Sequence, residues 1–211
     1  MKNLLAVFCL LLLPFAVSAA ESFQEDIHYF PVIPEQPGAE GQRVEVAEFF
    51  WYGCGHCYAF EPHLKSWLKD KPGYVSFVMI PAVFERPEVG MHARTFYALK
   101  MLGVEEQLHG KIFDAMHSER RNLNTQEAME KFLGENGVNV EEYRKAMKSF
   151  AVETQAKRAA VLAERGDVRG VPSLVVDGKY RVSGLEGEKM IEVLNHLIEK
   201  VRTSKAAAPA N

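Results

Sequence analysis

Cysteine is scarce in this chain of 211 residues, which contains three: Cys9, Cys54 and Cys57. So few cysteines cannot form the set of disulfides that stabilises small secreted domains. Acidic and basic residues nearly balance, 28 against 25, and neither a basic patch nor an RNA-binding motif occurs, so we expect no nucleic-acid partner. Internal repeats are also absent, and an apolar content of 47% indicates a globular core rather than disorder.

A long apolar run occurs only at the N-terminus. Lys2 precedes an apolar run over Leu4–Val17, and small residues follow it. A basic start, a short apolar run and a small-residue end are typical of a secretory signal peptide, so we interpret residues 1–20 as one. A transmembrane anchor is the alternative, but the run is shorter than about twenty residues and Pro14 interrupts it. Cys9 would leave with the signal peptide, and the exported protein would keep two cysteines.

The next segments predict a parallel β-α-β unit. The runs RVEVAEFFWY, from Arg43 to Tyr52, and YVSFVMI, from Tyr74 to Ile80, are rich in β-branched and aromatic residues and predict two strands. Between them, apolar residues at helical spacing predict a helix over Cys57–Lys69, which Pro62 would kink unless it lies in the first turn. This order predicts two parallel strands joined by a right-handed connection.

Helices then replace strands for much of the chain. From about Glu88 to Arg165, apolar residues recur three or four positions apart. After Gly166, the runs SLVVD and KYRVSG flank the turn residues Asp177 and Gly178 and predict a hairpin. A last amphipathic helix is predicted from about Glu186 to Arg202, followed by a frayed tail. Each strand-bearing part is too small to close a sheet alone, so we predict one α/β domain with a helical insertion of about 75 residues.

The stretch WYGCGHCYAF, from Trp51 to Phe60, places two cysteines two residues apart, with a histidine before the second. A zinc site usually needs four ligands, and the sequence has no second pair at matching spacing, so we expect no metal here. A structural disulfide across two residues would remove little entropy from the unfolded chain. A redox pair fits better, because a strand followed by this motif at a helix start puts the first thiol at the positive end of the helix dipole.

The two sulfurs are predicted to differ. Cys54 would lie at the helix start, where backbone N–H groups and a protonated or hydrogen-bonding His56 stabilise a thiolate. Cys57 would be more buried, with a pKa raised by the loss of hydration. We therefore interpret Cys54 as the sulfur that partners attack and Cys57 as the resolving sulfur.

A second motif lies far along the chain, where Val171 and Pro172 precede the strand SLVV. One interpretation is a proline at a strand edge or entry, because proline cannot donate to the middle of a β-ladder. The other is a cis-proline turn that packs against the two cysteines and leaves the Val171 backbone free to pair with an incoming peptide. The residues alone leave both interpretations open.

The motifs FFWYGCGHCYAFE and VRGVPSLVVDGKYRVSG, with the helical segment between them, resemble those of the DsbA family of periplasmic disulfide oxidases in the thioredoxin superfamily. The resemblance covers nearly all of the exported chain. It implies an α/β thioredoxin fold with an inserted all-helical domain, in a periplasmic enzyme that donates disulfides to reduced exported proteins. It also implies reoxidation by a DsbB-like membrane quinone reductase. We further expect no cofactor and a monomeric protein.

The resemblance sets the domain bounds and the roles of the site residues. Cys54 matches the nucleophile, His56 its thiolate-stabilising neighbour and Cys57 the resolving cysteine. Val171 and Pro172 match the cis-proline substrate loop. The domains are a signal peptide at 1–20, a first thioredoxin-like part at 21–86, a helical insertion at 87–163, a second thioredoxin-like part at 164–204 and a flexible tail at 205–211.

Two acids and one glycine refine this assignment. Glu48 matches the buried acid of the family and could transfer a proton at Cys57, although on an alternating strand it could instead face water. Glu61 falls where the family also has an acid. Gly55 departs from the family, in which proline is typical at this position; the sequence C-G-H-C is similar to that of protein disulfide isomerase. Gly55 loosens the turn and favours a milder oxidant.

Two other functions remain as hypotheses. A disulfide isomerase or reductase could use the same fold, but only about twenty residues separate Glu21 from Arg43, which leaves no room for the dimerisation domain of periplasmic isomerases. A non-redox binder, such as a chaperone or metal carrier, could use the helical insertion. His92 and His117 within it are interpreted as satisfied or solvated helix residues.

Overall fold

The computed structural model of the chain describes residues 23–207. The predicted signal peptide, residues 1–20, and the last four residues of the predicted tail lie outside the described residues. The strands are β1 (Phe30–Pro31), β2 (Val44–Phe50), β3 (Val75–Pro81), β4 (Ser173–Val176) and β5 (Tyr180–Ser183). The helices are α1 (Gly55–Asp70), α2 (Pro87–Met101), α3 (Glu105–His117), α4 (Gln126–Glu135), α5 (Val140–Met147), α6 (Phe150–Arg165) and α7 (Gly187–Ala207).

The strands form one mixed sheet in the order β1-β5-β4-β2-β3. β2 pairs in parallel with β3 and antiparallel with β4, and the other two pairings are also antiparallel. The predicted β-α-β unit and the predicted hairpin are therefore confirmed. β1 was not predicted, because a two-residue strand that ends in Pro31 has no periodicity to detect.

Strand β2, which lies between β4 and β3, is buried over nearly its whole length, because helices cover both faces of the sheet. Val44 and Val46 pack in one cluster with residues of α1 and α7. Ala47 and Phe49, with the opposite orientation on the strand, pack in another cluster with residues of α6. A strand covered on both faces has an almost continuous apolar sequence, here VEVAEFF. β2 thus carries the chain through the molecular centre to the residues at 51–54.

Helices α2 to α5 form a second core beside the sheet. Buried residues of these helices, such as Phe96 and Ile112, belong to the same cluster as Phe50, Tyr52 and Cys57. The inserted helices therefore pack directly against the end of β2 and the start of α1. None of the helices within residues 23–207 has both the length and the apolar content required to cross a membrane.

The C-terminal helix is longer than the sequence pattern predicts. α7 continues to Ala207, so the predicted flexible tail is wrong for residues 205–207. Lys205 supplies the physical reason, because its Nζ donates at 2.7 Å to two carbonyl oxygens in the segment before β2. The same Nζ lies 2.8 Å from Asp177 Oδ2, which holds the last helical turn against the sheet. In the first part of the chain, α1 continues through Pro62, which lies inside this helix.

Candidate redox site

The cysteine pair lies where β2 ends and α1 begins. Cys54 is the N-cap of α1, and its backbone N–H donates to the Trp51 carbonyl at 2.9 Å, which closes the turn between them. A Cβ at Gly53 would lie 2.3 Å from the Trp51 ring, so a larger residue in this turn would have to displace that ring. The backbone N–H of Cys57 donates to Cys54 Sγ across 3.4 Å. The predicted position of the first cysteine at a helix start is confirmed.

The two sulfurs, both free thiols in this structure, have opposite pKa shifts. A hydrogen bond from the Cys57 thiol lowers the pKa of Cys54 to about 6, against the opposing effect of partial burial. Backbone N–H groups of Cys57 and His56, and the charge of His56, lower it further. Cys57 is 1% exposed, and burial, followed by its hydrogen bond to Cys54, raises the pKa of its thiol. Near neutral pH, Cys54 is therefore mostly a thiolate and Cys57 a thiol.

The Val171–Pro172 motif lies against the cysteine pair, although 117 residues separate Val171 from Cys54. Cys54 Sγ lies 3.3 Å from the Val171 carbonyl oxygen, to which its thiol form donates, and the Val171–Pro172 peptide bond is cis. Of the two interpretations of this proline, the geometry favours the cis turn beside the cysteines. Pro172 and His56 also border two adjoining surface hollows, which Leu185 and Glu186 help to line.

Glu48 projects from β2 into the protein interior. It is 1% exposed, its strand neighbours are Met79 and Leu174, and its Oε2 has no hydrogen-bond partner in the described part of the chain. The interpretation that Glu48 faces water is therefore wrong. Burial raises the pKa of Glu48 well above its ordinary value, and the charge of Glu61 adds to this effect. Glu48 in turn contributes to the raised pKa of Cys57. A carboxyl group that stays protonated can give a proton to a nearby thiolate.

Glu61 is buried on α1 and lies close to two basic side chains. His109 Nε2 lies 3.3 Å from Glu61 Oε1, and Lys65 Nζ lies 3.2 Å from Oε2. Burial acts to raise the pKa of Glu61, but the hydrogen bond and charge of His109, together with Lys65, lower it overall. His109 Nδ1 lies 3.1 Å from the Tyr52 hydroxyl. Sequence reasoning missed Tyr52 and His109, because an amphipathic pattern does not show which distant group a buried histidine contacts.

Two further histidines contact the residues just before the cysteines. His92 Nδ1 accepts from Trp51 Nε1 at 2.9 Å, and its Nε2 lies 2.9 Å from the Leu123 carbonyl. Burial lowers the pKa of His92, so the ring is neutral and both of its nitrogens are satisfied. His117 Nε2 donates to the Tyr52 carbonyl at 2.8 Å. Both are hydrogen-bonded helix residues, and nothing in the sequence indicated that their partners lie in the redox turn.

The arrangement defines a class of enzyme. A cysteine pair with a low-pKa thiol at a helix N-terminus, beside a cis-proline turn, can exchange its disulfide with other thiols and so defines a thiol:disulfide oxidoreductase. Within residues 23–207, no three His, Cys, Asp or Glu side chains are grouped so that they could hold a metal ion.

Comparisons with known proteins agree with this class. A family described as the DSBA-like thioredoxin domain matches residues 45–199. The thiol:disulfide interchange protein DsbA of Pseudomonas syringae pv. tomato is 36% identical over 214 residues, covering 99% of this chain and 100% of that protein. The protein of the same name from Pseudomonas aeruginosa is 41% identical over 177 residues, or 82% of each chain.

Solved structures give the same result. The crystal structure of Pseudomonas aeruginosa DsbA is similar with a TM-score of 0.79 at 37% identity, covering 86% of this chain and 96% of that one. The oxidoreductase DsbA from Xylella fastidiosa has a TM-score of 0.77 at 27% identity, covering 83% and 96%. The chain belongs to the DSBA-like thioredoxin family. The predicted thioredoxin fold with a helical insertion and the predicted oxidoreductase class are confirmed.

Proposed function

We propose that the protein donates a disulfide between Cys54 and Cys57 to reduced exported proteins. The observation that carries the proposal is the opposite shift of the two thiols, with the pKa of Cys54 lowered to about 6 and that of Cys57 raised. A stabilised thiolate makes the dithiol form more stable, which favours transfer of the disulfide to the substrate. It also makes Cys54 a good leaving group in the final step.

In the first step, a substrate thiolate attacks Cys54 Sγ of the disulfide. A bond forms between the substrate and Cys54, the Cys54–Cys57 bond breaks, and Cys57 leaves with the electron pair as a thiolate. Because burial raises the pKa of Cys57, this thiolate takes up a proton. Glu48 is the proposed proton donor, since its buried carboxyl group has an unpartnered oxygen and a raised pKa.

In the second step, another thiolate of the substrate attacks the substrate sulfur of the mixed disulfide. A disulfide forms in the substrate, and Cys54 leaves as a thiolate that the N–H groups of Cys57 and His56 stabilise. The substrate thus loses two electrons and two protons; the protein gains the two electrons and one proton, on Cys57, and the other proton goes to solvent because Cys54 stays a thiolate. Val171 and Pro172 form the proposed substrate loop, because the Val171 carbonyl lies 3.3 Å from Cys54 Sγ and an extended peptide could pair beside it.

The proposal includes a place and a partner. The protein acts on substrate proteins by thiol-disulfide exchange, in keeping with its relatives named thiol:disulfide interchange protein. We place it in the periplasm, because residues 1–20 have the pattern of a secretory signal peptide, and we propose separately that it acts as a monomer. A DsbB-like membrane quinone reductase would restore the disulfide by accepting the two electrons from Cys54 and Cys57.

Gly55 supports a second candidate, a disulfide isomerase or reductase on the same fold. It is the first residue of α1, and no atom lies within 4 Å of a Cβ placed on it, so the turn lacks the constraint of a side chain. The equilibrium with glutathione separates the two candidates. A potential of about −270 mV, as in thioredoxin, would indicate a reductase, whereas one nearer about −120 mV indicates the oxidase.

The direct test of the oxidase is Cys54→Ser. We expect this variant to lose oxidation of a reduced peptide with two cysteines, because the disulfide that the substrate attacks can no longer form. The matched control is Cys57→Ser, whose Cys54 thiolate should attack a disulfide-bonded peptide, release one peptide sulfur as a thiolate, and form a mixed disulfide that accumulates because no resolving thiol is present. Peptide oxidation by Cys54→Ser at the normal rate would contradict the proposed mechanism.

A further inference from the structure

Helix α3 of the insertion holds Tyr52 at both of its polar ends. Glu61 is ionised at neutral pH because its pKa is lowered, so His109 Nε2 donates to it, and His109 Nδ1 lies within hydrogen-bond distance of the Tyr52 hydroxyl, at 3.1 Å. The Tyr52 carbonyl accepts from His117 Nε2 at 2.8 Å. Tyr52 itself is 1% exposed and lies two residues before Cys54, so water does not compete for these contacts.

His117 also contacts the chain on the other side of the cysteine pair. Its ring stacks on Tyr58, the residue after Cys57, with ring centres 5.0 Å apart and planes 15° from parallel. The Tyr58 hydroxyl donates at 3.1 Å to Asp114, one turn earlier on α3. One helix of the insertion therefore holds both residues that flank the stretch from Gly53 to Cys57.

The contact at the Tyr52 carbonyl lies inside the turn that presents Cys54. This turn is closed by the hydrogen bond from the Cys54 N–H to the Trp51 carbonyl at 2.9 Å, and the Tyr52–Gly53 peptide lies between these two groups. A peptide whose carbonyl is held at 2.8 Å by His117 has a fixed plane, which fixes the direction of the next Cα. The position of Cys54 Sγ in front of the N–H groups of α1 therefore depends on α3.

We propose that His117 is a positioning residue of the redox site. It holds the Tyr52 carbonyl while His109 holds the Tyr52 hydroxyl, and together they fix the turn that aims the first amide groups of α1 at Cys54 Sγ. The inference rests on the proposed exchange function of Cys54 and Cys57 and extends it to the insertion, which has no other assigned role in the reaction.

A positioning role affects the two redox states unequally. In the disulfide form, a covalent bond to Cys57 holds Cys54 Sγ in place whether or not the turn is fixed. In the dithiol form, only the turn keeps the thiolate in front of the amide groups that stabilise it. Loss of the His117 contact should therefore destabilise the dithiol form more than the disulfide form. The pKa of Cys54 should rise, and the equilibrium with glutathione should shift toward the protein disulfide.

The test compares three variants of the full chain. His117→Leu removes the donor to the Tyr52 carbonyl, and His117→Gln replaces it with a side-chain N–H of similar reach. Thr95→Val is the matched control, because it removes a buried hydrogen bond of 2.7 Å to Tyr143 within the insertion. Each protein is measured for its equilibrium constant with glutathione, for the pKa of Cys54 by thiolate absorbance, and for unfolding in both redox states.

For His117→Leu we expect a shift of about threefold to tenfold toward the disulfide, the range that corresponds to one net hydrogen bond. His117→Gln should keep the equilibrium constant close to that of the unaltered protein, because its side-chain N–H replaces the donor. Thr95→Val should lose stability equally in both redox states and leave the equilibrium constant unchanged. Tyr52→Phe, which removes only the hydroxyl contact to His109, should shift the equilibrium in the same direction by a smaller factor.

The outcomes separate the inference from the function on which it rests. If the unaltered protein does not exchange with glutathione through Cys54, the proposed function fails. If it does exchange, but His117→Leu destabilises both redox states equally, as Thr95→Val does, then His117 is only structural and the inference is overturned. Should His117→Leu fail to fold, an unchanged equilibrium constant in Tyr52→Phe would overturn it as well.

Discussion

Two buried carboxyl groups, Glu48 and Asp177, lie near opposite ends of β2, and their surroundings differ. Asp177 is 1% exposed, and its Oδ1 accepts from the backbone N–H groups of Ala39 at 2.9 Å and Glu45 at 3.3 Å. Its Oδ2 lies 2.8 Å from Lys205 Nζ. Glu48 is also 1% exposed, yet its Oε2 has no partner among the residues that the structure describes.

The difference indicates which end of the strand supports the fold and which supports chemistry. A buried carboxylate with a charged partner ties segments together: Asp177, through hydrogen bonds to its Oδ1 and the ion pair with Lys205, ties the segment before β2 to the hairpin and to α7. A buried carboxyl group with an unpartnered oxygen costs free energy, so its presence calls for another explanation. Glu48 lies on the half of β2 that leads to Cys54, where the proposed exchange mechanism needs a proton.

Removal of the paired acid should have the largest effect on stability. In Asp177→Ala, Lys205 loses its buried counter-ion and two backbone N–H groups lose their acceptor, so we expect the free energy of unfolding to fall by about 3 kcal/mol. Denaturant unfolding measures this change. The equilibrium constant with glutathione should stay as in the unaltered protein.

Glu153→Ala is the matched control for the paired acid. Glu153 forms an exposed ion pair with Lys157 at 3.5 Å on α6, and exposed pairs contribute under about 1 kcal/mol. Suppose that Asp177→Ala changes the equilibrium constant with glutathione but hardly changes the free energy of unfolding. The division of β2 into an end that stabilises the fold and an end that serves the chemistry would then be wrong.

Replacement of Glu48, the acid with the unpartnered oxygen, should have the opposite effect on stability. We expect Glu48→Leu to raise the free energy of unfolding by about 1–2 kcal/mol, because it removes a buried polar group that lacks a hydrogen bond. Stopped-flow mixing with a reduced peptide should show slower formation of the mixed disulfide, since no carboxyl group protonates Cys57. Glu48→Gln controls for shape; if both variants keep the normal rate, Glu48 is not the proton donor.

The stability gain in Glu48→Leu should grow as pH rises. The pKa of Glu48 is raised in the folded protein, so above the unfolded value of about 4.3 the unfolded chain releases a proton that the folded chain keeps. This difference lowers the stability of the unaltered protein with rising pH, by at most about 1.4 kcal/mol per pH unit, until the folded group also ionises. Glu48→Leu lacks this dependence of stability on pH. A stability gain in Glu48→Leu that becomes smaller as pH rises would contradict the raised pKa of Glu48.

The smallest effect is expected at Gly55. Gly55→Pro should raise the free energy of unfolding by about 0.4–1 kcal/mol, because Gly55 is the first residue of α1, where proline is tolerated, and the site has open space. The stiffer turn should also shift the equilibrium with glutathione toward the dithiol. Gly55→Ala adds a side chain without the ring; a larger shift in Gly55→Ala than in Gly55→Pro would exclude turn stiffness as the cause.

Local features of the site and fold were predictable because they depend on residues that are neighbours in the sequence. The apolar run of β2, the glycine before Cys54 and the helical spacing after it predict a strand, a turn and a helix, and the parallel pairing of β2 with β3 follows from their order. Prediction failed where local pattern is weak. β1 is two residues long, and the end of α7 depends on contacts of Lys205 with distant segments.

The sequence by itself determined that two cysteines stand between a strand and a helix, and that the first would be the more acidic. Backbone N–H groups at a helix start are a local consequence of helical geometry. Tertiary structure alone decided that Glu48 is buried without a partner for its Oε2, that Val171 reaches Cys54 across 117 residues, and that α3 holds Tyr52. Such contacts join residues far apart in sequence, and only packing of the elements brings them together.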